Sequence, residues 1–333
     1  MKQLLEVIDS AKSLIDEGEK YIIFNDGKAI ECNCDETELE ITVDEAIDFS
    51  DYLKKNDNEL EAEIDSKARF VTLISIKKDL NLKIIHIGDD EKYISYQIDI
   101  AKRLNVNLTN VYAYIVNDAR IKFDILIHHK SVVNYREYQS FSGNTKVNTS
   151  FYVLRYNQIK FLSLENNSSS FSSYLNMYLL QESIELDLLN VAINKSGKEQ
   201  TQNINVYHLY EDSISNCNTY AIADNNSVLK IKNIGQINKD AVRSSLAQKT
   251  KGIIIDEYSN IEADPALIID ENDVMASHGA SIGAINPADL YYLMSRGLTK
   301  EASEQLIIEA YVSPYFKDYE ESNLGRYILK NLK

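Results

Sequence analysis

The chain has 333 residues, 44% of them hydrophobic and 26% charged, with a formal net charge of -16. That length buries a substantial core, and the acidic balance excludes a nucleic-acid role built on clustered Lys and Arg. Cys32, Cys34 and Cys217 are too few for a disulfide framework or an all-cysteine zinc site and suit a reducing cytosol. No window reaches the roughly 18 uninterrupted apolar residues of a membrane span, and the first residues lack a signal-peptide pattern. The expectation is a soluble, cytoplasmic protein without direct membrane contact.

Taken in chain order, Leu4, Leu5, Ile8, Ala11, Leu14 and Ile15 fall on one helical face, and Gly18 is a stop signal. "KYIIFNDGKAIECN" reads as two strands joined at Asn25-Asp26-Gly27, a sequence that tolerates positive φ. "VDEAIDFSDYLKKN" predicts a second, weaker helix, which completes a small N-terminal α/β cap over residues 1–68. From 69 to 285 the texture is short period-2 runs. In "ARIKFDILIHH", Ile121, Phe123, Ile125 and Ile127 face one way and Lys122, Asp124, Leu126 and His128 the other, a half-buried strand. Similar runs recur up to "GIIID" and "PALIID", separated by Asn, Asp and Ser, which visit left-handed backbone more readily than other non-glycine residues. Many short strands of this kind fit either a sandwich or a parallel β-solenoid, and periodicity leaves that choice open.

The period changes again over residues 286–333. Asn286 caps a helix with Pro287 at its first position, carrying Leu290, Leu293 and Met294 and ending at Gly297. Thr299 starts a second helix with Ala302, Leu306 and Ala310 on one face, stopped before Pro314, and "SNLGRYILKNLK" holds a third. Just before them, "NDVMASHGASIGA" surrounds His278 with small residues, a composition that lets another backbone, subunit or ligand approach closely.

The stretch "DVMASHGASIGAINPADLYYLMSRGLTKEASEQLIIEAYVSPYF" resembles the C-terminal signature of the SufB/SufD family, scaffold components of the SUF iron-sulfur cluster assembly system. Asp273-Val274, then His278 among small residues, Leu290-Tyr291-Tyr292-Leu293 and Ser295-Arg296-Gly297 come in the family's order. Upstream, Ala247-Gln248, Pro265-Ala266-Leu267-Ile268 and His208 also match, so the resemblance covers residues 204–316. Ala276 stands where SufB-like members carry a cysteine, which makes the chain more similar to SufD. The resemblance implies a mainly β fold, a right-handed parallel β-helix of single-stranded solenoid type between the cap and the C-terminal α-helices. It implies a non-enzymatic scaffold that pairs with a SufB-like subunit and docks a SufC-type ABC ATPase through Pro287, Tyr291, Tyr292 and Arg296. It places His208, Ser277, His278 and Gly279 at the subunit interface and makes His278 a candidate ligand for a nascent cluster. No cofactor is expected to stay on the isolated chain; an iron-sulfur cluster would be transient in the complex, and a reduced flavin is left open.

Competing readings stand beside these. A lone strand histidine is more often a packed or hydrogen-bonded residue. Cys32 and Cys34 share one face of a strand but make an incomplete metal site, and two ordinary thiols are the plainer reading. His128 and His129 would diverge on a straight strand and are expected at the surface, whereas His208 is expected buried or at an interface. There is no Gly-x-Gly, and "KSGKEQT" lacks phosphate-loop spacing, so ATP hydrolysis by this chain is not expected. The rivals are a SufB-like homodimer and a carbohydrate-active β-helix enzyme using Asp256 and Glu257, which adjacency disfavours.

Overall fold

The computed structural model describes residues 2–49, 59–88, 90–115, 118–317 and 319–332. Helix α1 (Lys2–Lys12) precedes β1 (Lys20–Asn25), β2 (Lys28–Cys32) and β3 (Leu39–Val43); α2 (Glu59–Lys67) then leads into β4 (Val71–Ile76), β5 (Leu80–Gly88) and β6 (Tyr93–Ile100). The middle strands are β7 (Asn105–Ile115), β8 (Arg120–Ile127), β9 (Val132–Gln139), β10 (Thr145–Val153), β11 (Gln158–Asn166), β12 (Phe171–Leu179) and β13 (Glu185–Asn194). Last come β14 (Glu199–His208), β15 (Ile214–Ala223), β16 (Val228–Ile237), β17 (Ser245–Ile254), β18 (Asn260–Ile269) and β19 (Met275–Ala284), followed by α3 (Pro287–Ser295), α4 (Lys300–Phe316) and α5 (Asn323–Asn331).

The strands alternate between two facing sheets. One runs β19-β17-β15-β13-β11-β9-β7-β5-β1-β2 and the other β18-β16-β14-β12-β10-β8-β6-β4-β3. Every pairing is parallel except β1 with β2 and β3 with β4, so the chain is a parallel β-solenoid of about seven turns with C-terminal helices. That settles the alternative left by periodicity: a sandwich would need antiparallel neighbours. The predicted hairpin forms with Asp26 at φ 48° and Gly27 at φ 87°.

The solenoid turns by a repeated corner. Arg103, Lys130, Tyr156, Ser183, Asp212 and Arg243 occupy successive turns, all with φ between 57° and 64°. Each N–H donates to a carbonyl of the next turn, from Arg103 to His129 at 3.0 Å through Arg243 to Asp273 at 2.7 Å. The residue that follows the corner often adds a side-chain rung: Ser131 Oγ accepts from Leu104 N, Asn157 Oδ1 from Ser131 N, Ser244 Oγ from Ser213 N. At this corner only Asp212 is an Asn or Asp, whereas Asn225, Asn226 and Asp240 take left-handed backbone at other turns, as the sequence led us to expect. Stacked hydrogen bonds offset a left-handed backbone that costs a non-glycine residue about 1 kcal/mol or more.

Inward-facing side chains form one long core from Ile22 to Leu246. The outer face of the first sheet is covered by α1 and the turn after it, α4 and α5, through Ala11, Leu14, Ile308, Val312, Tyr315 and Ile328. Several local expectations are corrected here. Residues 43–49 contain no α-helix, and the rest of that predicted helix lies outside the described residues. The helix of this region is α2, whose Leu60 and Ile64 pack while Lys122 reaches Asp65 at 2.7 Å and Asp124 at 3.2 Å. Strand β8 is accordingly buried on both faces, not half-buried. Leu4 and Leu5 of α1 are exposed. Helix α4 buries Ser303, Ile308, Val312, Tyr315 and Phe316 while Ala302, Leu306 and Ala310 face solvent. It also runs through Pro314, where Ser313 Oγ donates to the Ala310 carbonyl at 2.9 Å, the acceptor that the proline nitrogen leaves unpaired.

Candidate functional site

The solenoid ends on β18 and β19, each the terminal strand of its sheet. One inward-facing column climbs through the first sheet in register from Leu188 to Cys217, Gln248 and His278. Cys217 is buried in the core, and burial pushes its thiol up to about 12. Gln248 is also buried, with both side-chain amide atoms lacking a partner among the described residues. His278 is the first member of the column to reach solvent, because no further turn covers it. Every residue of β19 is exposed, including Met275 and Ile282. The small residues leave a flat surface: a Cβ on Gly279 or Gly283 would meet nothing within 4 Å. Among the described residues, nothing closes over His278.

The other expected residues divide. Ser277 and Gly279 flank His278 on the same exposed strand. His208 instead lies in the interior with no exposed surface; its Nε2 shares a 2.7 Å hydrogen bond with Ser215 Oγ, and burial lowers its pKa to about 4. Chain direction brings α3 next to β19. Asn286 caps α3 by accepting from Ala288 N at 3.1 Å, Pro287 stands in its first turn, and none of its residues is buried. Tyr291 and Tyr292 project into solvent, and the Arg296 guanidinium lies 5.2 Å from the centre of the Tyr292 ring. A groove between the end of β19 and α4 is lined by Ser281, Ala284, Asp289, Ile307 and Tyr311.

His128 and His129 are half-buried just beyond the end of β8, not on a straight exposed strand; His128 Nε2 meets Asp99 Oδ1 at 2.9 Å. Asp256 caps a turn: Ser259 Oγ donates to it at 2.5 Å and Tyr258 N at 2.7 Å. Burial opposes its charge, but these bonds hold its carboxyl at about 2. A turn-capping carboxylate of this kind is no general acid.

Sequence reading missed a polar lane inside the solenoid. Glu165 accepts from Gln202 Nε2 and from Ser173 Oγ at 3.3 Å. Gln202 Oε1 in turn accepts from Asn190 Nδ2 at 2.7 Å, and Ser163 Oγ donates to Asn190 Oδ1 at 2.6 Å. Nearby, Glu137 accepts from Gln139 Nε2 at 2.7 Å. Burial raises Glu137 to about 7 and Glu165 to about 8. The signal was present in the strand parity, since Glu137 follows Val133 and Tyr135, and Glu165 follows Ile159 and Phe161, at inward positions. His86 was also passed over. It is clamped between the Phe24 and Tyr112 rings, and its nitrogens meet Tyr96 Oη at 3.0 Å and Asn110 Oδ1 at 2.6 Å.

The profile of the SUF system FeS cluster assembly, SufBD core domain, matches residues 89–311, two thirds of the chain and nearly the whole solenoid. The chain belongs to the SufBD family. Among curated relatives, the iron-sulfur cluster assembly protein SufD of Bacillus subtilis is 34% identical over 118 residues, 35% of this chain and 27% of that protein. A SufBD family protein of Pyrococcus horikoshii is 38% identical over 78 residues, 22% of this chain and 18% of the relative. One from Staphylococcus epidermidis is 22% identical over 199 residues, 59% of this chain and 42% of the relative. The chain thus spans less than half the length of each. Among the described residues, no group of three or more His, Cys, Asp and Glu side chains could hold a metal ion, and no helix is long and apolar enough to cross a membrane.

Proposed function

We propose that this chain is a SufD-like, non-enzymatic scaffold subunit of cytoplasmic iron-sulfur cluster assembly, pairing with a SufB-like subunit through β18 and β19 and carrying a SufC-type ATPase on α3. The observation that carries the reading is the bare final turn. Terminal strands expose unpaired backbone donors and acceptors, and here that edge also displays the inward-facing row of the core, with His278 among residues too small to obstruct a partner. A metal at His278 would take its remaining ligands from that partner, and imidazole is a competent ligand for iron. The similarity to a relative named SufD, and Ala276 in place of a cysteine, favour the SufD-like assignment over a SufB-like one.

Helix α3 offers the cleaner test of ATPase docking. Removing residues 286–333 would strip α4 and α5 from the first sheet and expose its outer core, so a deletion would confound binding with folding. Tyr291 and Arg296 are exposed, and α3 buries none of its residues. The double substitution Tyr291→Ala, Arg296→Glu is expected to leave the melting temperature unchanged and to weaken binding of the SufC-type ATPase from the same genome at least tenfold in calorimetry, since aromatic and arginine anchors carry a disproportionate share of interface energy, about 2 kcal/mol or more each. Wild-type affinity in that variant would remove α3 from the interface.

A further inference from the structure

Cys32 and Cys34, left as two ordinary thiols by the sequence, are held in a different way from Cys217. Strand β2 ends at Cys32, and the chain turns at once, so that Cys34 N–H points back at Cys32 Sγ at 3.4 Å. The turn is fixed by Asn33. Its Oδ1 accepts from Tyr21 N at 2.7 Å, its Nδ2 donates to the Glu19 carbonyl at 2.9 Å, and its own N–H donates to the Tyr21 carbonyl at 3.3 Å. Lys20 reaches the Asn33 carbonyl at 3.3 Å and Glu38 at 3.0 Å. The two cysteines therefore flank a residue pinned to β1, with an ammonium beside them. Cys32 is exposed, whereas Cys34 is half-buried against the core.

We propose that Cys32 and Cys34 form a redox-active dithiol on the N-terminal hairpin, in which Cys32 is the attacking thiolate and Cys34 the resolving thiol toward low-molecular-weight disulfides. The Cys34 thiol, together with its backbone N–H and the Lys20 ammonium, lowers Cys32 to about 6 against the opposing effects of burial and of Glu38. The neighbouring Cys32 and burial push Cys34 upward, and the Cys34 thiol also donates to Asn33 Oδ1 at 3.9 Å. Among the remaining charged neighbours, Glu31 is engaged by Lys12 at 2.8 Å and by the Tyr21 hydroxyl at 2.5 Å, and Asp35 adds a negative charge beside Lys20. At neutral pH the Cys32 thiolate attacks one sulfur of a disulfide RSSR, forming a Cys32–SR mixed disulfide and releasing RS⁻. Cys34 then gives its proton to solvent and attacks Cys32 sulfur, forming the 32–34 bond and expelling the second RS⁻. The dithiol loses two electrons, RSSR gains them, and the released thiolates take up protons from solvent.

The test uses the intact chain. Iodoacetamide labelling, followed by mass spectrometry of tryptic peptide 29–54, which carries both cysteines, is expected to modify Cys32 with a pH midpoint near 6 and to leave Cys217 unlabelled in the folded state. Oxidised glutathione should convert the wild-type peptide to a form two hydrogens lighter. Cys34→Ala should stop at the glutathione adduct and move the labelling midpoint upward, and Cys32→Ala should react at least about tenfold more slowly. A wild-type midpoint near the ordinary thiol value of about 8.5, or a wild-type chain that stalls at the mixed disulfide, would overturn the proposal. Both readings come from the wild-type protein and do not depend on any variant folding.

Discussion

Glu165→Gln is expected to stabilise the protein at pH 8 by on the order of 3 kcal/mol, while leaving it close to wild type at pH 4.5. Glu165 sits inside the solenoid with a folded-state pKa raised by burial from its ordinary 4.5 to about 8. Between those values the unfolded chain has lost the proton and the folded chain retains it, so the folded state binds more protons. Stability is then fully present below about 4.5 and declines as pH rises toward 8. A glutamine mimics the protonated carboxyl in size and removes the decline. Glu137 acts in the same direction with its value near 7. The buried histidines act oppositely: His208 is depressed to about 4 and His86 to about 3, so their contribution is present above 6.5 and lost as pH falls through those values. Between about pH 4.5 and 6.5 the two effects oppose each other, so the wild-type chain should vary least there and lose stability more steeply outside that window; Asp124, raised to about 7, adds to the fall on the alkaline side. Urea unfolding across that range measures it; a difference between variant and wild type that does not grow from pH 5 to 8 would show that Glu165 is not buried as a neutral acid.

His278→Ala should behave in the opposite manner, with little effect on the fold and a large one on assembly. The side chain is exposed at the last turn, so its loss should change unfolding free energy by no more than about 0.5 kcal/mol. Had it been a buried, hydrogen-bonded histidine, its orphaned partner would cost about 1 to 3 kcal/mol. Cluster formation on the assembled complex should fall on the order of tenfold or more, because alanine offers no lone pair to iron. Reconstitution followed by visible absorbance and iron content, performed beside thermal unfolding, separates the two effects. Unchanged cluster yield would remove His278 from the ligand set.

The elements that could be read from sequence are those whose instructions are local. Asn286-Pro287 and Thr299 mark helix starts by supplying an acceptor and a fixed φ, and the structure shows both caps formed, with Thr299 Oγ1 accepting from Ala302 N. Asn25-Asp26-Gly27 specifies its hairpin in the same way. Elements that depend on distant partners were not legible. Helix α2 has only Leu60 and Ile64 as its apolar pair among acidic residues, and its place is decided by Lys122 and Asp124 on a strand nearly 60 positions away. The buried face of α4 follows the outer surface of the first sheet, where Tyr315 Oη donates to the Glu137 carbonyl at 2.8 Å and Arg136 Nη1 donates to the Tyr315 carbonyl. Apolar residues all round α4 gave periodicity no way to choose. The repeated corner accepts Arg, Lys, Tyr and Ser because the stacking of turns, which no local signal encodes, satisfies their N–H groups. The small residues around His278 were legible from composition, but the column beneath it, Cys217 and Gln248, exists only through register between strands about 30 residues apart.

The claim that the bare final turn is a subunit interface is tested most directly by co-expressing this chain with the SufB-like and SufC-type proteins of the same genome and weighing the purified complex by light scattering. The account predicts a complex that contains all three. Ala280→Glu, which puts a charge on the inward-facing row of β19 without disturbing anything buried, should release the SufB-like subunit while the SufC-type ATPase stays bound. A wild-type chain that remains alone in the presence of both, or an Ala280→Glu chain that still carries the SufB-like subunit at full occupancy, would contradict it.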